Sequence, residues 1–152
     1  TSIRTLDTAA SRARIAASAF KHKGTAFQGR APHLQEVPSG MDTALMIDMA
    51  HYLKDDELAA TLNKLHTILK RNGNLLMRVT IPRHERFSFL RGIEIVRLKL
   101  FGIYYKYRTV NEILFILEQS GFEITLTRNS GTSREEIWFS AVPGKSEALH
   151  AI

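Results

Sequence analysis

The sequence predicts an α/β fold with a largely parallel sheet closed by an antiparallel hairpin. Three observations predict it. Extended segments alternate with helical ones along most of the chain, the pattern of crossover connections between parallel strands. The stretch "DTALMIDMA" (42–50) is nearly continuous apolar sequence, as in a strand covered on both faces. The last two extended segments, "FEITLTR" (122–128) and "EEIWFSAV" (135–142), are separated only by the turn-like "NSGTS".

The elements follow in order. "SIRTLD" (2–7) is short, extended in character and ends on an acid. "TAASRARIAASAFKHKG" (8–24) is rich in alanine, with Ala9, Ala13, Ala16, Ala17 and Phe20 on one helical face. Lys21, Lys23 and Gly24 suit its carboxyl end, where cations meet the negative pole of the helix and glycine allows the turn. "TAFQG" (25–29) reads as a second strand, followed by a loop with Pro32, Pro38 and Gly40. After the strand at 42–50, "DDELAATLNKLHTILKRNG" (55–73) predicts a helix: acids open it, and Leu58, Leu62, Leu65 and Leu69 recur at helical spacing. Lys70, Arg71, Asn72 and Gly73 are expected to close it. "NLLMRVTI" (74–81) reads as a strand ended by Pro82. In "TVNEILFILEQSG" (109–121), Thr109 and Glu112 form a capping box and Gly121 a stop. The closing hairpin follows, and residues 143–152 read as a tail.

Composition narrows the function classes. The chain has 152 residues, enough for one domain with a real core, and is 44% hydrophobic and 24% charged. It contains no cysteine, which excludes disulfides, thiolate zinc sites and thiol catalysis. No stretch approaches the roughly 18 consecutive apolar residues of a membrane helix, and a cytoplasmic location is expected. The net charge of +6 is concentrated in residues 83–108, which hold seven Arg and Lys against two Glu. "FLRGIEIVRLKLFGIYYKY" interleaves those cations with Ile, Leu, Phe and Tyr. Four readings are open for it: a substrate-covering lid, a basic face on an anionic membrane surface, a nucleic-acid grip, or an amphipathic helix with a solvated basic side. Nucleic acid ranks below the others because no RNA-binding motif accompanies the charge.

Four segments, taken in order, resemble the class I S-adenosylmethionine-dependent methyltransferases from that family's second strand onward. "IRTLD" is similar to the second strand and its terminal acid. "MDTALMIDMAHYLKDDE" is similar to the fourth strand and the loop after it. "LHTILKRNGNLLMRV" is similar to the helix, glycine turn and fifth strand. "EILFILEQSGFEI…EEIWFSAV" is similar to the last helix and closing hairpin. The resemblance covers roughly residues 2–142 and implies a Rossmann-like, mostly parallel sheet with helices on both faces. On this resemblance the family's first strand and its glycine-rich loop are absent, so residues 1–142 are expected to be a partial domain with 83–108 as its insert. The chain is then the carboxyl-terminal portion of a larger catalytic domain; alone it is expected to be inactive, and either to associate through its open sheet edges or to close the gap by rearrangement.

The resemblance also implies a site. Asp7 would hold the ribose hydroxyls of S-adenosylmethionine. Arg30 and Ala31 stand in the loop that faces adenine, with Arg30 where the family commonly has an acid. Asp48 and Met49 would line the cofactor at the end of the fourth strand. A purely local reading makes Asp7 a helix-opening acid and Asp48 a loop anchor. His51 is the candidate general base for an acceptor hydroxyl, since a neutral imidazole titrating near neutrality suits that task. His22, His33, His66, His84 and His150 have no metal-ligand spacing, and no metal site is expected. The function implied is methyl transfer to a small-molecule acceptor of anionic or lipid-like character. The competing reading is a non-catalytic methyltransferase-like module that binds a partner or ligand.

Overall fold

The computed structural model describes residues 30–34, 37–81, 97, 100–102, 104–130 and 135–144, the helical residues Arg14, Ile15 and Ser18, and the backbone of 3–7 and 24–28. The chain divides into two compact units, Thr1–Pro38 and Ser39–Ile152. In the first, β1 (Ile3–Asp7) and β2 (Gly24–Gln28) pair in parallel, with Ile3 beside Gly24 and Asp7 beside Gln28. Most of the helix expected over 8–24 lies outside the described residues, as do most of 83–108 and the tail beyond Gly144.

The second unit is a four-stranded mixed sheet in the order β3-β4-β6-β5. β3 (Met41–Ile47) runs parallel to β4 (Leu69–Thr80). The closing strands, β5 (Phe122–Asn129) and β6 (Glu136–Pro143), form the expected antiparallel hairpin. β6 inserts between β4 and β5, so the hairpin folds back onto the sheet. Within it Ile124 pairs with Ala141 and Leu126 with Ser140, leaving Thr125 as the extra residue of a bulge. The Thr125 hydroxyl donates to the Ser140 carbonyl at 3.0 Å.

Among the described residues, two helices pack on this sheet. α1 (Asp55–Ile68) opens on three acids, and Glu57 accepts from the Lys54 N–H at 2.9 Å. α2 (Val110–Gln119) has the predicted capping box, with Glu112 accepting from the Thr109 N–H at 2.7 Å. Gly121 stops it at φ +82°, a left-handed conformation that favours glycine. The helices touch each other and pack on the strands. Leu58 and Leu62 of α1, Ile113 and Leu117 of α2, and Leu75, Met77, Val79, Phe139 and Ala141 of the sheet are buried in this layer. Each buried aliphatic side chain contributes about 1.5–3 kcal/mol of transfer free energy, which makes this layer the main source of stability.

Two expectations are corrected. α1 ends at Ile68, five residues before the expected glycine stop, because Leu69 turns extended and pairs with Met41. From there β3 advances two residues to Thr43 while β4 advances five to Asn74. Gly73 lies in the excursion, where an added Cβ would sit 2.9 Å from the Lys70 carbonyl oxygen and 3.1 Å from that of Met41. The glycine therefore serves a tight backbone approach and not the helix end. β3, in turn, is not covered on both faces. Met46 is buried, whereas Leu45 and Ile47 on the opposite face are 64% and 42% exposed. β3 is an edge strand of this four-stranded sheet.

Candidate functional site

Parallel strands present their carboxyl ends on one side of a sheet, and open α/β folds bind ligands there. β3 and β4 are such a pair. At the end of β3, Asp48 takes φ +52°, a left-handed conformation that aspartate tolerates better than branched residues do. Its N–H donates to the Arg78 carbonyl at 3.0 Å, and its carboxylate is gripped by the Arg78 guanidinium, Nε to Oδ1 at 3.2 Å and Nη2 to Oδ2. Arg78 also lies over the Trp138 ring, 5.5 Å from its centre. The carboxylate raises the Arg78 pKa further above its ordinary value. Asp48 thus ties the end of β3 to β4 through Arg78. Its side chain remains about one-third exposed.

Beyond Asp48, Met49 caps a 3-10 turn spanning Ala50–Tyr52. The turn delivers His51 into a ring cluster: Tyr52 at 4.1 Å, Tyr105 at 4.9 Å and Tyr107 at 6.3 Å between ring centres. His51 is 7% exposed, and its Nδ1 is buried with no hydrogen-bond partner among the described residues. Burial lowers the imidazole pKa, Asp48 pulls it up, and Arg108 pushes it down, with the net direction downward. The ring is therefore neutral near pH 7, the state in which it can accept a proton.

A second set of contacts holds this turn. Arg108 is buried, and its guanidinium donates to the Ala50 carbonyl at 2.5 Å, the Leu53 carbonyl at 2.7 Å and Asp55 at 2.7 and 2.9 Å. Lys106 donates its N–H to the His51 carbonyl at 2.8 Å and its ammonium to Asp55 at 2.7 Å. These two cations hold the Asp55 carboxyl below the usual carboxylate range, and Asp55 raises the Lys106 pKa in return.

In the first unit, Asp7 ends β1 beside Gln28, two residues before Arg30. Arg30 is exposed, and its carbonyl accepts from the His33 N–H at 2.8 Å, while Ala31 is buried. The chain therefore gathers Asp7, Arg30 and Ala31 at one pair of parallel strand ends and Asp48, Met49 and His51 at another. Sequence reasoning did not single out Arg78, Tyr105, Tyr107 or Arg108. Arg108 had a local signal, its place directly before the Thr109 capping box. Nothing else in the local sequence marks it for burial.

Among solved structures the chain is similar to the mitomycin 7-O-methyltransferase MmcR, with a TM-score of 0.73 and 19% identity over 93% of this chain. The chain has the class I S-adenosylmethionine-dependent methyltransferase fold. A SAM-dependent methyltransferase from Methanosarcina mazei matches at a TM-score of 0.72 and 15% identity, over 94% of this chain and 82% of its own length. A methyltransferase of calicheamicin biosynthesis, in its SAH-bound form, matches at 0.67 and 18% over 93% of this chain. The chain spans 41% of the length of the mitomycin and calicheamicin enzymes. No protein-family profile and no curated protein sequence matches it. The methyltransferase fold thus persists at identities where sequence alone carries little signal. No helix among the described residues is long and apolar enough to cross a membrane, and no group of three or more metal-ligating side chains occurs among them.

Proposed function

We propose that this chain serves S-adenosylmethionine-dependent methyl transfer to a small-molecule acceptor, with His51 as general base. The observation that carries the reading is the placement of a buried imidazole just past the carboxyl end of a parallel strand in a methyltransferase fold. The residues present fit the cofactor: an acid closes β1, and Asp48 and Met49 close β3, the strand ends where such folds bind ligands. On the family resemblance, cofactor contact is proposed for Asp7, Arg30 and Ala31 of the first unit and, separately, for Asp48 and Met49 of the second. When bound, S-adenosylmethionine would supply an activated methyl group on its sulfonium for transfer to the acceptor. His51 takes the acceptor hydroxyl's proton onto its imidazole, and the tyrosines around it exclude water and orient the acceptor.

The cations and apolar residues of 83–108 support an acceptor of anionic or lipid-like character, with the same composition open to an anionic membrane surface. The test is calorimetric titration of S-adenosylhomocysteine into the 152-residue chain and its Asp7→Ala variant. Binding that weakens in the variant is expected. Heat indistinguishable from dilution in both would sink the cofactor reading for this chain and favour a non-catalytic module.

A further inference from the structure

We infer that Arg108 is the positioning residue for His51, holding the imidazole in place by gripping the carbonyls that flank it. The inference deepens the proposed function and rests on its reading of His51 as the base.

The turn that carries His51 has little to hold it from within. Tyr52 N–H donates to the Met49 carbonyl at 3.0 Å and Leu53 N–H to the Ala50 carbonyl at 3.3 Å, the second near the limit of a useful bond. Its firm restraints come from residues 105–108, which alternate as an extended chain does. Tyr105 and Tyr107 flank the His51 ring. Lys106 and Arg108 hold its backbone and Asp55. Arg108 spreads three nitrogens over four bonds: Nη1 on Ala50, Nη2 on Leu53 and Asp55, and Nε on Asp55. The bonded carbonyls belong to the residue before His51 and to the second residue after it.

The burial of this charge also needs a reason. The Arg108 side chain is 1% exposed, while its carboxylate partner among the described residues, Asp55, is 57% exposed. A pairing so unequal returns little Coulombic energy for the desolvation of a guanidinium. What the arrangement does supply is direction, because a planar fork satisfies several fixed acceptors at once where an ammonium cannot. Among the described residues, the charged and titratable groups around the imidazole are Asp48, Arg108, Lys106 and the Tyr52, Tyr105 and Tyr107 rings.

The test follows the His51 ring protons by NMR through a pH titration of the full 152-residue chain, with His51→Gln for assignment. Thermal unfolding is recorded in parallel. Arg108→Lys keeps the charge and nearly the length but loses the fork, and Arg108→Met loses both. Release of the turn should raise the His51 titration midpoint and reduce the ring-current displacement from the tyrosines in both variants. Asp55→Asn, which leaves the two carbonyl bonds in place, should leave the ring where it was. Folded Arg108 variants with an unmoved His51 signal and a lowered melting temperature would overturn the inference and leave Arg108 a stability residue. Asp55→Asn displacing the ring as far as Arg108→Lys would also overturn it, by assigning the hold to the ion pair. If Arg108→Met does not fold, the lysine variant carries the comparison. The titration needs neither cofactor nor turnover, so its outcome is independent of whether this chain transfers a methyl group.

Discussion

Thr109→Ala isolates one local device beneath the site. Thr109 is exposed, so its loss opens no cavity, and it begins the helix directly after Arg108. Three bonds make up the cap. The Thr109 N–H donates to Glu112 Oε2 at 2.7 Å, the Thr109 hydroxyl donates to the same oxygen at 2.9 Å, and the Glu112 N–H donates to the hydroxyl at 3.3 Å. Alanine keeps the first, the shortest, and loses the other two, of which one is long. The expected cost is therefore in the middle of the range for N-cap loss, about 1 kcal/mol. For a chain of this size that lowers the melting temperature by about 3 °C. Thr109→Ser, which keeps the hydroxyl, should recover most of it.

The same cap makes a pH prediction. Bonds from Thr109, its backbone first and its hydroxyl second, hold the Glu112 carboxyl below its ordinary value of 4.5. A carboxyl depressed in the folded state contributes stability above its unfolded pKa and loses it as pH falls through the folded value. The difference between wild type and Thr109→Ala, read by thermal unfolding, should be full at pH 7 and shrink below about pH 4. A shift under ~1 °C at pH 7, or a difference that persists unchanged into acid, would refute the reasoning.

Leu62→Ala removes a fully buried side chain from the layer between α1 and the sheet, and should cost about 2–5 kcal/mol in chemical denaturation, with a value under 1 contradicting its place in the core. Gly121→Ala forces a side chain into φ +82° with the His66 ring 3.2 Å from the new Cβ, and should lose about 1–2 kcal/mol by the same measurement. Asp55→Asn should destabilise at neutral pH, with its difference from wild type fading as acid protonates the Asp55 carboxyl below its ordinary value of 3.8. Leu45→Lys combined with Ile47→Lys places charges on the exposed face of the β3 edge strand and should reduce self-association in light scattering; a wild-type chain that stays monomeric at high concentration would count against association through that edge.

Local chemistry is written in nearest neighbours, and the sequence by itself determined what depends on them. The leucine spacing of 58, 62 and 65 fixes the buried face of α1, Thr109 with Glu112 begins α2, and Gly121 ends it. The hairpin of β5 and β6 follows from two strands joined by a short turn. The position of His51 just beyond a strand end was legible for the same reason, since it needs only the strand's direction and length. Where α1 stops was not, because Lys70 and Arg71 suit a helix and only the pairing of Leu69 with Met41 draws the chain out at Ile68. The apolar run of β3 was read as buried on both faces, yet which faces are covered depends on where the helices pack. Tertiary structure alone decided the surroundings of the imidazole. Arg108 is 57 residues from His51 in the chain, and its burial depends on which carbonyls stand within reach of its fork. Asp48 shows the same division: its type and place at the strand end belong to the sequence, while its commitment to Arg78, 30 residues away, is a property of two strands lying side by side.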